Sequence, residues 1–373
     1  MKINICGDFT TMGAGLEAVR SGTALAQEIV DFFKSADLNV VNFESPVVTD
    51  KSTAISKSGP NIATTAETVE YLRRCYVDLV TLANNHFYDY GRHGVSETIK
   101  MLKTNGVDYV GGGQTTDELS RIYYAEKDGV CVAILNYCES EFSVIEGIGS
   151  NPLNPIQVYK DLQAAKEKSD YRIVICHGGH EGYQLPSPRM KEWYRFFVDS
   201  GANIVCNHHQ HCFSGCETYH GGTIYYGLGN FFFDDHRPKR NRSSQWNYGY
   251  IVFLDINSQG IQSQAIPYKQ CLDSKVTTLL YRQEAVSFEK EMEALSAIIA
   301  DDKRLSEEFD KWCSIQRSNV ITCFSPYSNR ILNALCRRNL LPDFITRNKR
   351  LVLYNTIRCE AHRDVAINIL KTK

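Results

Sequence analysis

Five short stretches of this 373-residue chain place metal-ligand residue types where an apolar run stops. They are Cys6-Gly7-Asp8, Asn42-Phe43-Glu44, Asn84-Asn85-His86, His177-Gly178-Gly179-His180-Glu181 and Asn207-His208-His209-Gln210-His211. Carboxylates and carboxamides supply hard oxygen donors and imidazoles supply nitrogen, so the pooled set suits a divalent cation. For residues so far apart to meet, strands must deliver them to one edge. In an open α/β sheet the carboxyl ends of the strands share such a crevice.

Each stretch has its own reading. Asp8 leaves an apolar segment and precedes a loop with Gly13 and Gly15, so it is either an oxygen ligand or a turn and cap residue. Glu44 closes LNVVNF, and Ser45-Pro46 stops the strand behind it. In LANNHFYDYG, burying Asn84, Asn85 and His86 requires a partner for each. Asn85 offers a neutral oxygen and His86 a nitrogen that gives or takes a proton, while Asp89 orients His86 or caps the next helix. His177 comes first off RIVIC and is the ligand of its stretch, with His180 and Glu181 facing substrate or supporting other ligands. The spacing His209-Gln210-His211 predicts two imidazoles on one side of an extended backbone, with His208 turned toward the core or a substrate. A zinc–thiolate site from Cys212 and Cys216, with His208 or His220, is a second arrangement of this stretch. His93, His236 and His362 read as surface or cap residues. Downstream, Asn230 follows a Gly-Leu-Gly turn. Arg237, Lys239, Arg240 and Arg242 then form a basic loop that holds a phosphate or anionic polymer, or stands in solvent.

The elements that must position these residues are legible as apolar runs. KINIC, LNVVNFE, VDLVTLA, VDYVGGG, RIVIC and ANIVC read as strands, with helices expected over 23–34, 66–75, 95–104, 157–168 and 189–199. Asp128-Gly129 predicts a hairpin between 121–126 and 130–137. TIYYGLGNFFF and YGYIVFLDIN are expected to run antiparallel, and IQSQAIPYK to close a second hairpin. Strands apolar nearly throughout argue for an α/β fold with the sheet covered on both faces. The later hairpins add a mixed sheet or a second, antiparallel one. Composition turns charged, helix-patterned and glycine-poor from about Thr277, which predicts a ligand-bearing domain over 1–270 and a helical region over 271–373.

Bulk properties narrow the class. Hydrophobic content of 43% and charged content of 23% are those of an ordinary globular protein. A net charge of −2 gives no whole-molecule reason to bind nucleic acid or a membrane surface. No apolar run reaches the roughly 18 residues of a spanning helix, and the start MKINICGDFT lacks the pattern of a secretory signal. Thirteen cysteines, scattered through strand cores and the C-terminal third, fit free thiols, so a reducing, cytoplasmic location is expected.

The order and wording of the motifs resemble the CapA (poly-gamma-glutamate capsule synthesis) family, a branch of the calcineurin-like metallophosphatase superfamily. The pieces are CGDFT, ADLNVVNFESPV, VDLVTLANNHFYDYGRHGVSETIKMLKTNGVDYVGGG, RIVICHGGHEGYQLPSP and SGANIVCNHHQHCFSGCETYHGGTIYYGLGNFFFDD, spanning residues 1–267. The resemblance implies a four-layer α/β/β/α sandwich of the metallophosphatase type with a helical C-terminal extension. It implies two divalent ions (manganese, iron or zinc) held by Asp8, Glu44, Asn85, His177, His209 and His211, with Glu44 between them. His86 is then the catalytic proton donor, with Asn84, Asp89, His180, Glu181, His208 and Asn230 around substrate and ligands. The implied activity is metal-dependent hydrolysis of a phosphoester or anionic polymer in capsule or cell-surface polymer synthesis. The competing readings are a polymer-binding scaffold working with capsule-synthesis proteins and metal-assisted γ-glutamyl amide cleavage or transfer. Thr10 stands where phosphatases of the superfamily carry a ligand histidine, and Glu44 where they carry a bridging aspartate. Gly178, Asn207 and Gln210 replace the family's usual tryptophan, glycine and proline.

Overall fold

A computed structural model describes residues 1–57, 59–234, 244–271, 274–324, 327, 329–342 and 344–358. Its chain is mixed α/β and falls into two compact units, Met1–Leu305 and Ser306–Lys373. The first unit holds two main sheets. In one, Lys2–Thr10, Leu38–Phe43, Leu79–Thr81 and Asp108–Val110 lie side by side in parallel. On its other side Lys2–Thr10 pairs antiparallel with Tyr248–Asn257, which continues through Gly260–Gln270 to Thr277–Leu279. In the second sheet, Val130–Cys138, Tyr171–His177, Ile204–His208 and Gly222–Tyr225 are parallel. Antiparallel strands Tyr123–Lys127 and Cys216–Tyr219 flank them. A third, small sheet contains Gly112–Gly113, Val144–Ile145 and Ile148–Ser150.

Strand sequences that are apolar nearly throughout are buried on both faces, and the packing shows why. Ile3, Ile5, Val40 and Leu79 of the first sheet share one core with Val132, Ile134, Ile173 and Ile204 of the second. The alternate residues Cys6, Val41, Phe43 and Val80 face a separate core made with Val19, Ile29, Phe33, Leu72 and Ile99 of flanking helices. On the second sheet, helices Pro155–Lys166 and Pro188–Asp199 contact Tyr171–His177 and Ile204–His208. Both begin with proline behind a capping side chain: Asn154 accepts from the Ile156 and Gln157 N–H groups, and Ser187 from that of Met190.

Some expectations are corrected. TIYYGLGNFFF is not one antiparallel strand. Gly222–Tyr225 joins the second sheet in parallel, while Asn230–Phe233 crosses to the first and pairs in parallel with Asp8–Thr10. The intervening Gly229 adopts φ 79°, which lets the chain change sheets. VDLVTLA keeps only Leu79–Thr81 as strand, and Ala14–Arg20 adds an unexpected helix. The basic loop from Arg237 to Arg242, and His236 and His362, lie outside the described residues.

Gly7 is where the first strand bends. Its register shifts against Leu38–Phe43 between Cys6 and Asp8, and a Cβ on Gly7 would lie 1.9 Å from the Gly229 carbonyl oxygen. Backbone meets backbone there, so no side chain can give way. Gly7→Ala is expected to cost about 3 kcal/mol in urea unfolding of the metal-free protein. A loss under about 0.5 kcal/mol would show that the close approach is not needed.

Candidate metal centre

The strand ends of both sheets converge. Asp8 comes from the first strand, Glu44 from the end of the second, and Asn84, Asn85 and His86 from the turn after Leu79–Thr81. His177 ends a strand of the opposite sheet, and His209 and His211 follow its neighbour Ile204–His208. All are buried.

Two groups of donors form around one shared carboxylate: Asp8, Glu44 and His211, and Glu44, His177 and His209. In the first, His211 Nε2 lies 3.6 Å from Glu44 Oε1, and all three donors offer ligand atoms within 4.8 Å of one another. In the second, His177 Nε2 is 3.1 Å from His209 Nδ1 and 3.8 Å from Glu44 Oε1. Asn85 joins it through Oδ1, 3.0 Å from His177 Nε2. Ligands bound at about 2.0–2.2 Å and spread around a cation stand roughly 3–3.5 Å from one another, which is close to these separations. Both Glu44 oxygens are buried without a hydrogen-bond partner, and so are both ring nitrogens of His208. A doubly orphaned carboxylate among imidazoles is costly unless a cation takes its lone pairs. The donor set therefore fits divalent ions.

The charges agree. Burial alone would raise the Asp8 carboxyl, but the His208 and His211 imidazoles, 3.4 and 3.3 Å from its oxygens, hold it well below the usual range. Burial and then the Asp8 charge push Glu44 well above its usual range. Burial would lower His211, yet Glu44 and Asp8 raise it to about 10. Burial depresses His177 and His209, leaving them neutral and able to donate lone pairs.

The backbone behind His209 and His211 is not extended. Both adopt left-handed φ, 86° and 55°, a region that disfavours non-glycine residues. The intervening Gln210 turns aside and donates to the Tyr183 and Leu185 carbonyls. Asn207 accepts from the Tyr194 hydroxyl and donates to the Gly178 carbonyl. His208 does not turn away, since its Nδ1 stands 3.4 Å from Asp8 Oδ1. The zinc–thiolate arrangement is not assembled. His220 is exposed and bonds Asp199, and among the described residues the candidate ion-holding groups contain no cysteine.

Other expected site residues surround this centre. Asn230 Oδ1 lies 2.9 Å from His211 Nδ1. Asn84 is internal, donating to the Phe43 carbonyl and accepting from the His86 N–H. Asp89 Oδ2 sits 2.7 Å from His86 Nδ1, so it orients the ring. Glu181 lines the cavity, and His180 stacks at an angle near Tyr183 without joining either donor group. Thr10 bonds Ser45 and stays out of both groups.

Two residues, Lys57 and Glu141, went unnoticed in the sequence, and Asn42, named within the Asn42-Phe43-Glu44 stretch, had no role of its own. Asn42 donates to Asp8 Oδ1 at 2.7 Å, and its place two residues before Glu44 on one strand was a usable signal. Lys57 is buried, forms an ion pair with Asp89 and reaches within 3.3 Å of His86 Nδ1. It comes from a loop with no periodic pattern. Glu141 Oε1 lies 3.5 Å from His209 Nε2, at the end of a strand whose exit, Cys138-Glu139-Ser140-Glu141, also carries acids. These groups open into a cavity of about 480 Å³ lined by Lys57, Asn85, His86, Glu141, His211 and Trp246 among others.

A mixed α/β scaffold thus gathers buried carboxylates, a carboxamide and imidazoles at its strand ends into a candidate metal centre. The chain belongs to the bacterial capsule synthesis protein PGA_cap family, whose model matches residues 2–235 and so spans every donor named above. It is 34% identical over 272 residues to the capsule biosynthesis protein CapA of Bacillus anthracis, covering 69% of this chain and 66% of that one. It is 30% identical over 242 residues to the PGA biosynthesis protein CapA of Bacillus subtilis, covering 63% of each. The chain thus spans slightly less than two thirds of these relatives' length. Among solved structures, a putative 5′-nucleotidase from Staphylococcus aureus in complex with alpha-ketoglutarate overlaps 79% of this chain and 58% of its own. Its TM-score is 0.46 and its identity 13%.

Proposed function

We propose that this chain is a metal-dependent hydrolase of the metallophosphatase type, cleaving a phosphoester or anionic polymer in capsule or cell-surface polymer synthesis. The observation that carries the reading is Glu44, a buried carboxylate with no hydrogen-bond partner on either oxygen, common to two donor groups. Asp8, Glu44 and His211 would hold one divalent ion, and Glu44, Asn85, His177 and His209 a second, of manganese, iron or zinc. Such ions supply Lewis acidity and positive charge to the bond being cleaved and to the attacking water.

The chain's own groups do the rest. Asn230 and Asn42 fix the orientation of His211 and Asp8. Asp89 accepts the Nδ1 proton of His86, so in the doubly protonated ring it is the Nε2 proton that passes to the leaving group. Lys57 neutralises Asp89 and brings an ammonium to the cavity wall, where it favours an anionic substrate.

Protein purified without added metal is expected to carry, or take up on titration, about two equivalents of a divalent ion. Its melting temperature should rise with ion concentration, because ions bind only the folded cluster. Less than about half an equivalent, with no uptake, would defeat the proposal.

A further inference from the structure

Charge is unevenly spread along the chain. Residues 306–373 contain twelve Lys and Arg against six Asp and Glu, a surplus of six positive charges. Since the whole chain is at −2, residues 1–305 stand at −8. Three of those six acids are Glu307, Glu308 and Asp310, so from Lys311 onward the ratio is twelve to three. The bulk value that argued against membrane surfaces is an average over two opposite parts.

The basic unit is also where apolar side chains meet water. More than half of the exposed large hydrophobic residues among the described ones lie in it. Helix Arg330–Arg337, RILNALCR, is sharply two-sided. At 100° per residue, Arg330, Asn333 and Arg337 share one side, and Ile331, Leu332 and Leu335 the other. Ile331 is 70% exposed, Leu340 65% and Phe344 62%. Arg337, Arg338, Arg347 and Lys349 are exposed beside them. In a unit that only needed to fold, these aliphatics would face inward.

We propose that the unit Ser306–Lys373 docks on an anionic lipid surface, lying along it rather than crossing it. Ile331, Leu332, Leu340 and Phe344 would enter the headgroup–acyl boundary while the arginines contact lipid phosphates. No helix among the described residues is long and apolar enough to cross a membrane, which is consistent with lying flat. Nucleic acid would satisfy the arginines but leave the exposed aliphatics in water. A bilayer satisfies both and asks for no complementary shape.

Flotation of the full chain with vesicles tests this. Binding to phosphatidylcholine–phosphatidylglycerol vesicles should be about tenfold or more tighter than to phosphatidylcholine alone, and should weaken as salt is raised. Two exposed double substitutions separate the contributions: Ile331→Ser with Leu332→Ser, and Arg337→Gln with Arg338→Gln. Each should lower the bound fraction severalfold while circular dichroism is unchanged. No flotation with anionic vesicles would overturn the proposal, as would equal binding to neutral ones. So would binding that a single-stranded oligonucleotide abolishes and the Ile331/Leu332 pair leaves unaltered. None of these outcomes depends on whether the metal centre hydrolyses anything.

Discussion

Replacing Glu44 by glutamine is expected to abolish binding of the two proposed ions and, in the same stroke, to make the metal-free form more stable at neutral pH. The first half follows from Glu44 being the vertex common to both donor groups. A neutral carboxamide is a weaker ligand that cannot balance two dications. The second half follows from its environment. Burial, then the Asp8 charge, raise the Glu44 carboxyl well above its ordinary value of 4.5, so the folded metal-free chain holds that proton more tightly than the unfolded chain. The stability this contributes is fully present below the ordinary value and is lost as pH rises through the raised one. At neutral pH the wild type without metal bears a penalty from this raised carboxyl, and Glu44→Gln removes it. A gain of about 1–3 kcal/mol, or roughly 2–6 °C in melting temperature under chelator, is expected. The gap should close as pH falls toward the ordinary carboxyl range. With metal added, the wild type should rise and the variant should not. A variant that keeps two ions, or melts lower than wild type under chelator at neutral pH, contradicts the proposed role.

The second large effect belongs to His86. It lines the cavity, is held through Nδ1 by Asp89, and lies outside both donor groups. His86→Ala should therefore leave metal content unchanged and reduce turnover about 10²–10⁴-fold, the usual contribution of a positioned proton donor. Leaving groups sharpen the test. Phenyl phosphate needs a proton more than nitrophenyl phosphate does, so the loss should be larger for phenyl phosphate. Equal losses on both substrates, or loss of metal in parallel, would show that His86 acts structurally.

Donor chemistry was easier to read than donor geometry. Asp8 alone reads equally as a turn or cap residue and Glu44 alone is a weak signal, so it is the five stretches taken together that single them out. Family resemblance then ordered them. Backbone paths were another matter. The pair His209 and His211 suggested an extended segment, but their rings meet through two left-handed residues, which period-two reasoning has no means to anticipate. Lys57 was invisible because it reaches His86 from an aperiodic loop, and its importance lies wholly in tertiary placement. Likewise Asn230–Phe233 reads as a continuation of TIYY, while the sheet it joins is decided by Gly229 and by the bulge at Gly7. Hairpins with a two-residue turn fared best: Tyr123–Lys127 and Val130–Cys138 pair as Asp128-Gly129 requires.

The donors divide between the two sheets: Asp8, Glu44 and Asn85 hang from one, His177, His209 and His211 from the other. Bound cations would therefore act as rivets across the seam where the sheets face each other. Amide hydrogen exchange should slow on loading not only beside the ligands but deep in Tyr171–His177 and Leu38–Phe43, because neither layer could then lift from its neighbour alone.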